Sequence, residues 1–243
     1  MGSEFPSLHD IEIKLTLKGL DKIKCHVPVR AVPISPSLLL ELSRHLQLDD
    51  PTHVSLWCLF LFLFFTFARK SQFMVDSSTA HSPSKLVTRK DICVHDGVAI
   101  ILFRRTKTLQ AGGKVLSIPL LPIPGSVLCP VSAYQNMIQL TPAPRSSPAF
   151  VIPSNQGLVP VKYHFFQKVL KYLVAQTGRD PSGYSSHGFR RGGATFAFNS
   201  GVSPDLIQVQ GDWQSDCYKQ YMVSDLAHRL NVSEQIRDAI LQM

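Results

Sequence analysis

The sequence predicts a mainly α-helical domain with a small antiparallel β-sheet on one edge, an α+β fold. The order of the patterns predicts it, since apolar helical stretches come first, strand patterns follow, and helical stretches return. The 243 residues correspond to one large domain, or to one domain with a small appendage, at roughly 150 residues per domain. Because 44% of the residues are apolar, the chain can bury a core, which excludes a disordered or low-complexity protein.

The first helices are predicted around an uncharged run. Val54 to Ala68, VSLWCLFLFLFFTFA, is shorter than the about 20 residues that span a bilayer, so we expect a fully buried central helix rather than a membrane segment. Asp49-Asp50-Pro51-Thr52 ahead of it offers an N-cap and a first-turn proline. Upstream, Pro36-Ser37 and the pattern LLLELSRHLQL predict another helix.

Three antiparallel strands are predicted in the middle of the chain. The stretch 85–92 is the first of these strands. Val98 to Phe103 is typical of a buried strand, and Arg104 to Thr108 continues it. Ala111-Gly112-Gly113 favours a hairpin turn, and Lys114 to Leu120 is the returning strand.

Helices return after the sheet. Pro130 begins a predicted helix over Val131 to Gln139, and a proline-rich loop separates it from a helix over Lys162 to Thr177. A polar loop over 178–186 leads to short helices between Gly188 and Gln242, which break near Gly201 and Gly211.

Charge and cysteine usage narrow the function. The 25 lysines and arginines against 17 acidic residues give a net charge of +8, which favours a polyanion partner, nucleic acid before membrane headgroups. Five scattered cysteines form no CxxC pair, so we predict neither a zinc site nor a disulfide framework. The same cysteine usage favours a reducing compartment. No motif for a nucleotide, a metal or a serine nucleophile is present, and no cofactor is predicted.

The stretch His187 to Phe196, HGFRRGGATF, carries the most chemical information. A histidine three residues before an arginine, at a loop-to-helix junction, brings an imidazole and a guanidinium to a helix N-terminus, which favours phosphate binding. Gly211-Asp212-Trp213 follows, and then Tyr218 and Tyr221. Each residue alone is more often a packing or capping residue, so the prediction depends on the ordered set.

HGFRRGGATFAF resembles the HxxR box of the tyrosine recombinases, the phage-integrase-like enzymes, and the distance from Arg190 to Trp213 matches the family's spacing to its His/Trp position. LFLFFTFARKSQFM resembles the first box of the family, and FRRTKTLQAGGKVLSIPL resembles its strand-turn-strand. With GDWQSDCYKQY, the boxes are most similar to recombinases of eukaryotic mobile elements, namely DIRS-like and Ngaro retrotransposons and Cryptons. The resemblance covers about Ile34 to Tyr221 and implies the tyrosine-recombinase catalytic-domain fold.

The resemblance implies a catalytic set of Arg69, Lys107, His187, Arg190, Trp213 and Tyr221. In that scheme Arg69 and Arg190 clamp the non-bridging oxygens of the scissile phosphate, and Trp213 donates its indole N–H to the same oxygens. The phosphate is cut without metal or nucleotide, and the cut DNA is rejoined by the reverse reaction.

The remaining three residues move protons and form the covalent bond. Tyr221 attacks and becomes a 3′-phosphotyrosyl ester, while His187 accepts its proton. Lys107 protonates the departing 5′ oxygen. The cations predicted to contact the DNA backbone, or else to form a solvated face, are Lys70, Arg105, Lys114 and Arg191.

Two departures from the family pattern concern this set. Gln72 stands where many relatives have a glutamate three residues after the first arginine, so an arginine-orienting carboxylate is missing or replaced. The separation between Trp213 and Tyr221 is one residue shorter than usual, which leaves the identity of the nucleophile open. Tyr218 therefore stays an alternative, although its separation from Trp213 is shorter still.

Domain boundaries follow from the resemblance. Residues 1–5, MGSEF, are what adjacent BamHI and EcoRI sites encode, so we expect a cloning scar and a fragment of a longer protein. Residues 6–33 are predicted to be a linker or remnant, and 34–243 the catalytic domain with a helical tail. The tail, 224–230 and 233–241, predicts two short amphipathic helices that pack on their own domain or dock on a neighbouring subunit.

The implied function is integration or excision of a mobile element. The implied partner is double-stranded DNA. The resemblance also implies a protein that is a monomer in solution and forms a tetramer on synapsed DNA, and that acts in the nucleus without a membrane partner. A type IB topoisomerase-like enzyme and a domesticated, inactive DNA-binding or scaffold protein stay open as alternatives.

Overall fold

A computed structural model describes residues 31–76, 86–104 and 115–221, with positions 15, 16, 19, 234, 236–238, 240 and 241. Ala31–Met243 forms one compact unit and Met1–Arg30 another. The helices of the unit Ala31–Met243 are α1 Pro36–Ser43, α2 Pro51–Thr66, α3 Pro130–Leu140, α4 Tyr163–Gln176, α5 Ser186–Asn199 and α6 Pro204–Gln210. Its strands are β1 Ile92–His95, β2 Val98–Phe103, β3 Leu116–Leu120, β4 Val151–Ser154 and β5 Gly157–Pro160. The predicted α+β fold, helices around a small antiparallel sheet, is confirmed.

The central helix α2 is buried on every side, as the uncharged run predicts. Its N-cap Asp50 accepts hydrogen bonds from the backbone N–H groups of Thr52 and His53, at 2.9 and 2.8 Å. It packs against α3, α5 and β4, and it ends at Phe67, whose backbone is left-handed with φ 51°. Within the described residues, no helix is both long and apolar enough to cross a membrane.

The three-stranded sheet has the order β1-β2-β3, with both pairs antiparallel. The predicted buried strand β2 instead alternates, because one of its faces meets the core and the other is half-buried. The first strand begins at Ile92, later than the predicted 85–92, since the Asp91 carboxylate accepts from the Thr88 backbone N–H at 3.0 Å and fixes a 3₁₀ turn there. The strand β2 ends at Phe103, so Arg104 does not continue it as predicted; the rest of the predicted extension and the Gly-Gly turn fall in 105–114, outside the described residues.

A second hairpin, β4–β5, occupies a region where the sequence predicts no strand. Pro153 and Pro160 lie in its strands, and prolines weaken a strand pattern because they cannot donate to a ladder. A two-stranded hairpin consists of edges only, so it tolerates them. Gly157 begins β5 with φ +94°, which suits the tight turn.

The helix α5 approaches its neighbours by backbone contact. A Cβ on Gly192 would lie 1.8 Å from the Ile34 carbonyl oxygen, and one on Gly193 would lie 2.1 Å from that of Phe64. The Ile34 N–H also donates to the Gly188 carbonyl at 3.0 Å. Gly193 therefore lets α5 lie directly on the end of α2, shortly before Arg69, and Gly192 lets it lie on the segment before α1.

Candidate active site

A narrow recess lies between the end of α2, the ends of β2 and β3, helix α5 and the turn after α6. Its polar lining residues are Thr66, Arg69, Gln72, Arg190, Gln210 and Asp212. They come from stretches that are far apart in sequence, which the fold brings to one place.

Among the predicted catalytic residues whose burial the structure describes, Arg190 is the most buried, with 3% of its surface exposed. Its guanidinium donates to the carbonyl oxygens of Phe67 and Gly211, the latter at 2.8 Å. The group also stacks on the Trp213 ring, 3.8 Å from the ring centroid. These contacts fix the orientation of a charge at the recess wall.

Trp213 lies beneath the recess in a small apolar cluster. The cluster consists of Phe67, Ala194, Phe198, Ile207, Trp213 and Tyr218. The Trp213 ring lies 6.3 Å from that of Phe67 and 5.9 Å from that of Tyr218, between ring centroids. The structure thus gives Trp213 a supporting contact with Arg190, while its predicted bond to phosphate stays a prediction.

Arg69 begins a 3₁₀ turn, Lys70–Gln72, directly after α2. Its backbone N–H donates to the Gln72 amide oxygen at 3.0 Å. Its guanidinium Nη1 lies 4.0 Å from Oδ2 of Asp212, and these side chains are 32% and 20% exposed. Asp212 was absent from the residues predicted from the sequence, and its signal is the Gly-Asp pair, since aspartate tolerates the left-handed φ of 51° found there.

His187 lies in the first turn of α5, three residues before Arg190 and exposed. Desolvation by neighbouring atoms lowers the pKa of its imidazole, and the positive charges of Arg190, Arg191 and Arg69 lower it further. The ring is therefore neutral at pH 7 and able to accept a proton. The three arginine charges also show that His187 belongs to the same positive region as the recess.

Lys107 lies outside the described residues, as do Arg105 and Lys114. The strand ends that flank this segment, Phe103 of β2 and Leu116 of β3, both line the recess. The two strand ends on either side of Lys107 therefore lie at the edge of the site.

The two candidate nucleophiles differ in what the structure describes. Tyr218 is 2% exposed, and its ring packs on Trp213. Tyr221 ends the 3₁₀ helix Asp216–Tyr221, and its side chain lies outside the described residues. A tyrosine as buried as Tyr218 serves packing, so the choice of Tyr221 stays the better prediction.

Two predicted DNA contacts have partners inside the protein. The Lys70 ammonium donates to Asp76 at 3.0 Å and lies 3.5 Å from the centroid of the Tyr163 ring. The half-buried Arg191 donates to the carbonyl of Ala31. Both contacts give these cations a structural role, and their contact with DNA stays a prediction.

No protein-family model and no curated protein matches the chain. Solved structures do. The XerH site-specific recombinase bound to its difH substrate has a TM-score of 0.58 at 14% identity, with 86% of this chain and 55% of that chain covered. The XerA recombinase gives 0.58 at 18% identity, with 93% and 72% covered. The Tn1549 transposon integrase in complex with transposon right end DNA gives 0.57 at 15% identity, with 88% and 68% covered.

These structural neighbours are tyrosine recombinases and integrases, and at such identities the likeness shows the fold. The chain has the fold of their catalytic domain, as the resemblance of the sequence boxes implies. It spans about half the length of the XerH recombinase chains that it matches.

Proposed function

We propose that this chain is the catalytic domain of a site-specific DNA recombinase, which cleaves and rejoins strands through a covalent 3′-phosphotyrosyl intermediate. The observation that carries the proposal is the recess itself. Arg69 and Arg190 line it together with the two strand ends that lead to Lys107. The fold around it is that of the structures bound to recombination-site DNA.

The chemistry of phosphoryl transfer suits this arrangement. A phosphorane-like transition state gathers charge on its non-bridging oxygens, which two guanidinium groups stabilise. Arg190 has five N–H donors, so it can hold two backbone carbonyls and still donate to phosphate. His187 is neutral at pH 7 and takes the proton of the attacking Tyr221 hydroxyl, while Lys107 protonates the 5′ oxygen that leaves.

Double-stranded DNA is the proposed substrate and partner. The net charge of +8 supports this, as do the neighbours solved with DNA, among them the lambda integrase dimer on a core site, at a TM-score of 0.51. We further propose that the chain serves integration or excision of a mobile element of the DIRS-like, Ngaro or Crypton kind, in the nucleus. The support for this finer step is the similarity of HGFRRGGATFAF and GDWQSDCYKQY.

Assembly is proposed as a monomer in solution and a tetramer on synapsed DNA. In the tail, the described residues 234, 236–238, 240 and 241 are helical, and 224–230 lies outside the described residues. Ile236, Ile240 and Leu241 are 57%, 63% and 77% exposed. Exposed apolar side chains favour docking on a neighbouring subunit over packing on their own domain.

A nicked suicide substrate tests the function directly. The nick lets the short 5′-hydroxyl fragment diffuse away, so a cleaving enzyme stays attached to DNA and the adduct is scored on a denaturing gel. Tyr221→Phe removes only the attacking oxygen and should abolish the adduct while DNA binding stays intact. Tyr218→Phe is the matched control, and it should retain the adduct because its ring still packs on Trp213.

Other outcomes would assign the rival functions. DNA binding with no adduct from the unaltered chain supports an inactive DNA-binding protein. Adduct formation with relaxation of supercoiled DNA, but no strand transfer to a partner duplex, supports a topoisomerase-like enzyme. Loss of the adduct in Tyr218→Phe alone would transfer the nucleophile role to Tyr218.

A further inference from the structure

We propose that Asp212 is the positioning residue that orients Arg69, in place of the carboxylate that Gln72 lacks. This inference rests on the proposed function, because it assigns a role to Arg69 in holding phosphate. Its starting point is the approach of the two side chains across the recess, with 4.0 Å between Arg69 Nη1 and Asp212 Oδ2.

Gln72 is committed to the backbone. Its amide oxygen accepts from the Arg69 backbone N–H at 3.0 Å and closes the 3₁₀ turn, and its side chain is buried. The neutral Gln72 amide fixes the backbone at Arg69, and so the point from which the Arg69 side chain extends. It contributes no charge that would hold the far end of the side chain.

Asp212 is held by the residues on both sides of it. The Gly211 carbonyl accepts from Arg190 at 2.8 Å, and a Cβ on Gly211 would lie 1.8 Å from the Trp213 ring. The Gln208 side chain donates to the Trp213 carbonyl at 3.0 Å. With its neighbours fixed and its own φ at 51°, Asp212 presents its carboxylate at a defined place on the recess wall.

The pairing links the two arginines that the reaction needs. Arg190 binds the turn that carries Asp212, and Asp212 in turn faces Arg69. A carboxylate facing the scissile phosphate would repel it unless a cation lay between them, and Arg69 is that cation.

A double-mutant cycle in the adduct assay tests the assignment. Asp212→Asn should lower the single-turnover cleavage rate by about 10- to 100-fold, by analogy with the loss of a residue that orients a metal ligand. DNA affinity should change less than about 2-fold, because the phosphate contacts that bind the duplex remain. In the Arg69→Ala background Asp212→Asn should have almost no further effect, and Asp212→Glu should restore part of the rate.

Asp216→Asn is the matched control, since it makes the same change where the carboxylate pairs with Lys219 at 2.8 Å on the surface. An equal loss in both backgrounds, or no loss at all, would overturn the proposal.

The pairing is also measurable without DNA. Hydrogen exchange at the Arg69 Nε–Hε group, followed by NMR and assigned with Arg69→Lys, should accelerate several-fold in Asp212→Asn and stay unchanged in Asp216→Asn. If the unaltered chain forms no adduct, the recombinase function fails and this exchange rate alone decides the pairing. An exchange rate that Asp212→Asn leaves unchanged refutes it.

Discussion

Arg190→Ala should destabilise the fold as well as stop cleavage, because Arg190 is embedded in the structure. The residue is 3% exposed, and its guanidinium donates to the carbonyls of Phe67 and Gly211. Truncation leaves both oxygens without this donor, at about 1–3 kcal/mol for each buried group. Loss of the stacking on Trp213 adds about 0.5–2 kcal/mol.

Part of this loss is offset, since water can enter the space and no charge remains to be buried. We therefore expect the free energy of unfolding to fall by about 3 kcal/mol, a melting temperature lower by about 6–12 °C at this chain length. Arg69→Ala provides the comparison. Its side chain is one-third exposed and its ion pair is at 4.0 Å, so the loss should stay below about 1 kcal/mol.

Urea unfolding followed by circular dichroism measures both variants, and the same preparations enter the suicide-substrate assay. Each variant should lose cleavage by on the order of 10²–10³ or more, because each removes a preorganised donor to the transition state. Equal stability of the two variants would refute the structural role of Arg190. Full cleavage by a folded Arg69→Ala protein would refute the phosphate clamp.

Three further predictions concern proton transfer and DNA binding. Lys107→Ala should abolish cleavage of ordinary DNA but cleave a substrate with a 5′-bridging sulfur, whose leaving group needs no proton. Lys171→Ala, at an exposed position of α4, serves as the control. The cleavage rate should fall as the pH drops through the lowered pKa of His187, since the protonated ring cannot act as a base, and His187→Asn should remove this limb of the profile. In the unfolded chain His187 has the usual pKa of about 6.5, so it binds a proton more readily than in the folded protein. The free energy of unfolding should therefore rise with pH between the lowered pKa of the folded protein and about 6.5. This rise should be smaller in His187→Asn. DNA affinity should fall with salt by about −0.9 in the log–log slope for each phosphate neutralised, and EDTA should leave cleavage unchanged; a flat response to salt or inhibition by EDTA contradicts the scheme.

Elements with strong local signals could be predicted from the sequence. The uncharged run behind Asp50 and Pro51 forms the buried helix α2, and the helix predicted over Lys162 to Thr177 is found as Tyr163–Gln176. The β4–β5 hairpin could not, since its prolines hide the strand pattern that a two-stranded ladder accepts.

The site was predicted less completely than the fold. Residue types and order indicate which arginines and which histidine come together, but they do not show where a side chain points. The carbonyls that bind Arg190 belong to Phe67 and Gly211. Because every residue has a backbone carbonyl, the sequence does not indicate which of them accept these hydrogen bonds. Asp212 was missed for a related reason, because the Gly-Asp pair indicates a turn but does not show that the fold brings this turn close to Arg69.

The placement of the two tryptophans gives the protein a built-in optical reporter. Trp57 lies in the main core, where its indole N–H donates to the Val127 carbonyl at 3.1 Å, so its emission follows unfolding. Trp213 lies against the Arg190 guanidinium at the recess, so its emission follows the surroundings of that one charge. In a Trp57→Phe protein, the fluorescence of the remaining tryptophan therefore reports the surroundings of the Arg190 guanidinium, without a dye and without any chemical step.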